Sequence, residues 1–292
     1  KRGHTLQIPA ELERFSCMYC GERLTKRQLL TQPEEASCSE EDCAVSFDHA
    51  VSRLGWCVQN FRGYQKKILR DAFFEAFETY ETGCAPVIQE LNSGVRPERQ
   101  TELLERAAEA MLDELSAGWE KKNDMEDEKV VLAIFFVPMV RKLQLPVSEE
   151  FVSLLQKKWV ERYPKSPFYL GDYESISGGF RKKFLGLCFI TTAVCQELGK
   201  PDDCAELTAF RAFRDGYLAA QPDGEALIRE YYNIAPGIVT CINTCSDRHA
   251  SYERIREQYL TPCYEDLLAG RNADCKTRYV QMVRDLERKY LN

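Results

Sequence analysis

The chain has 292 residues, of which 44% are hydrophobic and 29% are charged, and its formal net charge is −7. This composition excludes an intrinsically disordered or collagen-like chain, and the length is sufficient to bury a sizeable core. The acidic balance argues against nonspecific nucleic-acid binding, which depends on positive charge.

Cysteine usage and hydropathy favour a cytosolic location. Thirteen cysteines are a high and odd count, and two of them form a Cys-x-x-Cys pair. In a chain of this size, such usage favours metal-bound or free thiols in a reducing compartment over a disulfide framework. The longest apolar run, residues 130–140, is about half as long as a membrane span and predicts a buried core helix. We therefore expect a cytoplasmic protein that does not cross a membrane.

Residues 1–60 are predicted to form a small head that resembles a zinc knuckle or ribbon. Cys17 and Cys20 are two residues apart, and the Gly that follows them permits the tight turn of a knuckle. Cys38 and Cys43, four residues apart, would complete a four-thiolate site. Because four thiolates leave no open position for water, the expected cofactor is a structural zinc ion.

Other interpretations of this head are compatible with the sequence. His49 or Cys57 could replace a member of the second pair, but eight residues of helix would separate them by about 12 Å, too far to share one ion. Cys38 and Cys43 could also be free loop thiols with no metal bound. A thioredoxin-type redox pair is disfavoured, because no βαβ pattern surrounds the Cys-x-x-Cys pair.

Residues 61–175, the predicted middle region, carry the apolar spacing of helices. Apolar side chains recur every three or four residues, which predicts helices over residues 68–80, 97–115, 125–143 and 148–163. Pro138 is expected to kink the third of these helices, and Ser148 is expected to be the N-cap of the fourth. Two prolines and a glycine then predict a loop over residues 164–177.

Residues 176–292, the predicted C-terminal region, are also helical in pattern. Gly178-Gly179 is expected to open a helix that continues to Leu198, and further helices are predicted over residues 203–218, 225–244, 251–269 and 273–290. Period-two alternation is missing beyond residue 60. The predicted fold class is therefore all-α, a multi-helix bundle with the small zinc-knuckle head.

Several thiols of this region are predicted to share helical faces. Cys188 and Cys195 fall on one stripe with Thr191 between them, and Cys204 opens the next helix and could fold back beside them. Cys241 and Cys245 are also one helical turn apart. Because cysteine is a small hydrophobe common in cores, a purely structural role is the competing interpretation.

The motif around Cys188 resembles a known family. Cys188-Phe189-Ile190, followed by Thr192-Ala193, is similar to the box that gives its name to the CFI-box C-terminal domain proteins of bacteria, of the type found in anaerobic Firmicutes. The resemblance covers residues 178–243 and continues through Leu207, Phe210, Arg211, Phe213, Arg214, Asp215, Leu218, Tyr231, Tyr232 and Pro236. Many members read Ala-Tyr-Gly where this chain has Val194-Cys195-Gln196. The resemblance implies an architecture and no activity.

Two functions are compatible with the sequence. The first is an interaction or regulatory protein that binds a protein or peptide partner in a groove of the helical body. The second is a cysteine-dependent enzyme or soft-metal protein, with Cys188 as the nucleophile or ligand and Arg211 or Arg214 favouring its thiolate. A catalytic Cys–His pair would require folding to bring His249 to Cys188. Otherwise Asp215 or a tyrosine such as Tyr231 would have to transfer protons.

A basic stretch is the one hint of an anionic partner. Residues 151–187 hold seven cations against three anions, with aromatic residues interleaved. A solvated surface beside a loop is the favoured interpretation. Gly178-Gly179 before a basic helix could hold a phosphate, but the Walker spacing and a preceding strand are lacking.

Overall fold

The computed structural model describes residues 14–16, 23–25, 40–121, 123–181, 188–245 and 247–292. Contacts divide the chain into two units, residues 1–43 and residues 44–292. In the first unit, strands β1 (Arg14–Ser16) and β2 (Arg23–Thr25) pair in antiparallel register. The sequence-based division into three regions stays a prediction.

From residue 40 onwards the described chain is helical, as the sequence predicts. The α-helices in chain order are α1 (Glu40–Leu54), α2 (Trp56–Gln59), α3 (Phe73–Gly94), α4 (Gln100–Ala117), α5 (Asp124–Val131), α6 (Val137–Leu143), α7 (Ser148–Arg162), α8 (Tyr173–Arg181), α9 (Phe189–Glu197), α10 (Ala205–Ala212), α11 (Gly224–Asn243), α12 (Arg248–Ile255), α13 (Thr261–Leu268) and α14 (Asn272–Tyr290). Short 3₁₀ segments cover Tyr64–Lys67 and Pro97–Arg99. The expectation of an all-α, multi-helix fold is confirmed.

Three helical segments contain a wide π turn. Leu132–Phe136 joins α5 to α6, Phe213–Leu218 extends α10, and Arg256–Leu260 joins α12 to α13. A π turn contains one residue more than an α-turn, and such turns are often found at functional sites. The turn after α10 carries part of the site described below.

The core of the first half of the second unit is rich in aromatic rings. Phe73 of α3 stacks on Phe180 of α8 with ring centroids 4.3 Å apart. The ring centroids of Tyr80 and Phe135 are 5.5 Å apart, and the Tyr80 hydroxyl donates a hydrogen bond to the Cys57 carbonyl at 2.7 Å. Burying each of these side chains contributes about 1.5–3 kcal/mol, so this cluster fixes α3 and α8 against the rod formed by α5 and α6.

Backbone contacts join α11 to the segment that precedes α3. A Cβ atom placed on Gly237 would lie 1.8 Å from the carbonyl oxygen of Ile68, so only glycine allows this approach. The carbonyl of Asn233 accepts the Arg70 N–H at 3.0 Å, and its side-chain oxygen accepts the Asp71 N–H at 3.1 Å. These contacts set the position of α11, which lines the site.

The predicted helix from Gly178 to Leu198 is wrong at Cys188. Helix α8 ends at Arg181, and Cys188 has a non-helical backbone (φ −101°, ψ 80°) immediately before α9. Cys188 is the N-cap of α9, since its carbonyl accepts the Thr192 N–H while its own backbone lies outside the helix. The apolar spacing of Cys188, Thr191 and Cys195 therefore spans a helix start and not a helix interior.

Among the residues that the structure describes, no helix is both long and apolar enough to cross a bilayer.

Candidate binding pocket beside Cys188

Cys188 lies in the interior of the C-terminal helices, where α9 begins. Its side chain is buried, with 4% of the residue exposed. The π turn after α10 places Arg214 against it, with the guanidinium Nη1 3.6 Å from Cys188 Sγ. Folding thus brings together Cys188, in the box-like motif, and Arg214, which lies 26 positions later.

Arg214 is the most connected side chain of the site. Its Nη1 also donates to the hydroxyl of Tyr232 at 3.0 Å, and its Nε and Nη2 donate to the two carboxylate oxygens of Asp215 at 2.7 and 2.8 Å. The Arg214 side chain is 10% exposed, whereas that of Asp215 is 66% exposed. The ion pair therefore runs from the interior to the surface and holds the guanidinium beside the thiol.

The electrostatics of the site keep Cys188 protonated. Burial raises the pKa of the Cys188 thiol above its ordinary value of 9.0, and the Arg214 guanidinium only partly opposes this shift. Arg214 in turn lowers the pKa of Asp215, so that carboxylate is ionised at neutral pH. Because the thiolate is the nucleophilic form of cysteine, the resting state is not that of an activated nucleophile.

Hydroxyl groups connect α9 to α11 and α14. The Ile190 N–H donates to the Tyr231 hydroxyl at 3.0 Å, which satisfies one of the free amides at the start of α9. The hydroxyl of Tyr279 lies 3.4 Å from that of Tyr231 and 3.2 Å from Thr191 Oγ1. Burial raises the pKa of both tyrosines above the ordinary value of 10.0, so they are neutral hydrogen-bonding groups and not bases.

A pocket opens on this network between α10, α11 and α14. It has a volume of about 60 Å³, and its apolar walls are formed by Phe210, Phe213, Leu218, Leu227, Ile228, Val280 and Val283. Cys188, Arg214, Tyr231 and Tyr279 supply the polar part of the lining. Arg284 and Glu230 complete the lining and form an ion pair, with Nη2 and Oε2 2.7 Å apart.

Part of this lining was not predicted from the sequence. Tyr279, Val280 and Val283 lie on α14, and Glu230 and Leu227 lie on α11. The signal that α14 offers is the spacing of Tyr279, Val283 and Leu286, which marks a buried face without saying what that face covers.

The other thiols of the C-terminal helices are divided between separate places. Cys195 and Cys204 lie together, with their sulfur atoms 3.8 Å apart. Cys241 contacts the Tyr290 carbonyl at 3.6 Å, and the Cys245 thiol donates to the Cys241 carbonyl at 3.2 Å. In the described part of the chain, no three His, Cys, Asp or Glu side chains come together as a metal site.

His249 lies at the far end of α9 from Cys188. Its Nδ1 is 3.4 Å from the carboxylate of Glu197, the last residue of that helix. Nine residues of helix separate Glu197 from Cys188, which corresponds to about 13 Å along the axis. Folding therefore does not pair His249 with Cys188.

Three of the four predicted zinc ligands, Cys17, Cys20 and Cys38, lie outside the described residues. Cys43 lies in the first part of α1. His49 forms a 2.7 Å hydrogen bond between its Nδ1 and Oε1 of Glu90. Cys57 is fully buried in the core.

Three cations of the basic stretch around α7 and α8 form ion pairs with acidic side chains. Contacts join Lys158 to Glu109 at 2.7 Å, Arg162 to Asp113 at 2.6 Å and Arg181 to Glu174 at 3.3 Å. Lys182 and Lys183 lie outside the described residues. The acidic face of α4 supplies two of these partners.

Comparison with known proteins gives no match: no family model, curated protein or solved structure matches this chain. The chemistry of the pocket is therefore inferred from its own residues.

Proposed function

We propose that the chain is a binding protein whose C-terminal helices take an apolar side chain of a protein or peptide partner into the pocket beside Cys188. The observation that carries the proposal is the pocket itself, which has apolar walls and a few polar groups held in place. One water needs about 10–15 Å³ by this measure, so the pocket has room for a group of a few non-hydrogen atoms.

The residues that resemble the CFI box support this choice of site. Six residues that carry the resemblance line the pocket: Cys188, Phe210, Phe213, Arg214, Leu218 and Tyr231. We include in the proposal that the chain has a CFI-box region and a cytoplasmic location.

The test uses single-residue mimics of a partner's side chain as probes. We expect N-acetyl-leucinamide and N-acetyl-valinamide, but not N-acetyl-glutamate amide, to raise the melting temperature and to shift the NMR signals of Val283. Val280→Phe should abolish both effects, because Val280 is a half-buried wall residue. The matched control is Val160→Phe at an exposed position of α7, which should leave them intact. Equal responses to all three probes would reject the pocket as the binding site.

A cysteine-dependent enzyme or soft-metal protein is the second candidate. It is favoured by the 3.6 Å contact between Arg214 Nη1 and the Cys188 sulfur, since a nearby cation stabilises a thiolate. The two functions differ in iodoacetamide labelling of the native protein at pH 7. The binding function predicts that Cys188 is labelled more slowly than the half-exposed Cys204, and that probe binding survives Cys188→Ala. Labelling of Cys188 ahead of Cys204 would favour the enzyme.

We also propose a zinc-knuckle head in which Cys17, Cys20, Cys38 and Cys43 hold one structural zinc ion. The support is the spacing of the four cysteines. Elemental analysis of the purified protein should find about one zinc per chain. Cys17→Ser should remove it, whereas Cys245→Ser, far along the sequence, should not. Zinc-free protein, or equal zinc in both variants, would contradict the proposal.

A further inference from the structure

Cys195 and Cys204 face each other across the turn between α9 and α10. Their sulfur atoms are 3.8 Å apart. Cys195 is buried with 4% of its surface exposed, whereas Cys204 is half-buried and reaches solvent. Cys204 is therefore the residue of the pair that is more accessible to a dissolved reagent, and the Cys195 sulfur lies 3.8 Å from its thiol.

The turn holds the two thiols at this separation. Gly199 has a left-handed backbone (φ 68°), and the Lys200 N–H donates to the Cys195 carbonyl at 2.9 Å, which closes the end of α9. The Cys204 N–H donates to the Pro201 carbonyl at 3.1 Å, and Cys204 is the N-cap of α10. These two hydrogen bonds fix the backbone conformation at Cys195 and at Cys204.

Side chains on the outside of the turn reinforce it. Arg211 of α10 donates to the carbonyl and to the carboxylate of Asp202 at 2.7 and 2.8 Å. Lys200 forms an ion pair with Glu206. Both contacts join the turn to α10 and hold the turn in place.

Two other pairs of neighbouring thiols are less accessible than Cys195 and Cys204. Cys57 lies beside Cys84, and Cys263 lies beside Cys275. All four of these residues have 0% of their surface exposed. A reagent in solution cannot reach them while the protein is folded, which makes them internal controls.

We propose that Cys195 and Cys204 are a modification site, at which a low-molecular-weight disulfide converts the two thiols to a reversible protein disulfide. A disulfide needs about 2.05 Å between the sulfur atoms, so the pair must close by about 1.8 Å, a distance within reach of side-chain rotation. This inference is independent of the pocket and of its ligand.

The chemistry is thiol–disulfide exchange in two steps. Cys204 loses its proton and attacks one sulfur of the small disulfide, which breaks the small disulfide bond and releases one small thiolate. Cys195 then loses its proton and attacks Cys204 Sγ in the mixed disulfide, displacing the second small thiolate. The two protons end on the two released thiolates. Two protein thiols are oxidised, and one small disulfide is reduced to two thiols.

The test treats the folded, full-length protein with excess oxidised glutathione, unfolds it in the presence of N-ethylmaleimide to block every remaining thiol, and cleaves after Glu197. We expect a linked pair of peptides that contains Cys195 and Cys204 and that dithiothreitol separates. Cys57, Cys84, Cys263 and Cys275 should all be recovered as blocked thiols. In Cys195→Ala, Cys204 should stop at the glutathione adduct, because the second thiol is missing.

Cys204→Ser is the second variant, and serine is a favoured N-cap residue, so α10 should be retained. We expect this variant to form neither the linked peptides nor an adduct at Cys195. A wild-type protein that stops at a glutathione adduct on Cys204, or that remains fully reduced while glutathione is in excess, would overturn the proposal. Linkage of the buried pairs at the same rate would overturn it as well.

Discussion

Arg214→Met removes the charge beside Cys188 while keeping an unbranched apolar stem of similar length in place. The substitution breaks the hydrogen bond to the Tyr232 hydroxyl, in which the donor is charged and the Arg214 side chain is 10% exposed. Such a bond contributes about 1.5–3 kcal/mol. The pair with Asp215 adds about 0–1 kcal/mol, because that carboxylate is largely exposed. We expect the free energy of unfolding to fall by about 1.5–4 kcal/mol in total.

Urea unfolding followed by circular dichroism measures this loss, provided that the slope of the transition is unchanged. The matched control is Arg229→Met, which removes an ion pair with Glu225 whose side chains are 76% and 87% exposed. Its cost should be about 0.3–0.5 kcal/mol. An equal loss of stability in the two variants would contradict the conclusion that the hydrogen bond from Arg214 to Tyr232 stabilises the interior.

The same variant changes the chemistry of the thiol. Arg214 is the main group that lowers the Cys188 pKa against the effect of burial. Its removal should raise that pKa further, so the alkylation of Cys188 should begin at a higher pH than in the parent protein. A pH profile that moved in the other direction would refute the electrostatic argument.

Three other substitutions test a close backbone contact, a buried hydroxyl and an ion-paired carboxylate. Gly237→Ala should cost about 3 kcal/mol or more in urea unfolding, because the new methyl group meets a backbone carbonyl, whereas Gly178→Ala, with open space around it, should gain about 0.5–1 kcal/mol. Tyr279→Phe should cost about 1–2 kcal/mol through its two lost hydroxyl contacts, and Tyr169→Phe at an exposed position should cost almost nothing. Asp266→Asn should lower the melting temperature at pH 7, because two arginines lower the pKa of Asp266 below 3.8. A lowered carboxyl pKa stabilises the folded state above the unfolded pKa, so this difference should disappear as the pH falls through the folded pKa; a constant difference would contradict the assignment.

The helices were largely predictable, because the apolar spacing that marks them is a local property. The stripe from Leu103 to Leu115 is buried along its length in α4. Ser148 shows where local rules fail. It was expected to be the N-cap residue of α7. Instead it is buried, and its hydroxyl donates a hydrogen bond to the Val140 carbonyl at 2.7 Å. That partner belongs to the preceding helix, which the capping pattern does not include.

The site was predictable only in part, for a related reason. Cys188 and Arg214 were both identified from the sequence, but not the 3.6 Å contact that joins them. Cys188 has a non-helical backbone and contacts Arg214, which lies 26 residues further along the chain. The residues next to Cys188 in the sequence therefore give no sign that the predicted helix is broken there. The pocket wall formed by α14 lies about 90 residues further along the chain than Cys188. Its sequence predicts an apolar helix face but does not indicate a binding site.

The extra residue in the π turn at Phe213–Leu218 has a consequence for variants of different length. The turn lets Arg214 reach the interior while its sequence neighbour Asp215 stays in solvent. Deleting one residue here would restore ordinary α-helical pitch and remove the wide turn, while the residues beyond it would keep their register. The side chains inside the turn, Arg214 among them, would then point in other directions. A one-residue gap at this position in an alignment would therefore signal a differently shaped pocket, even where every neighbouring residue was identical.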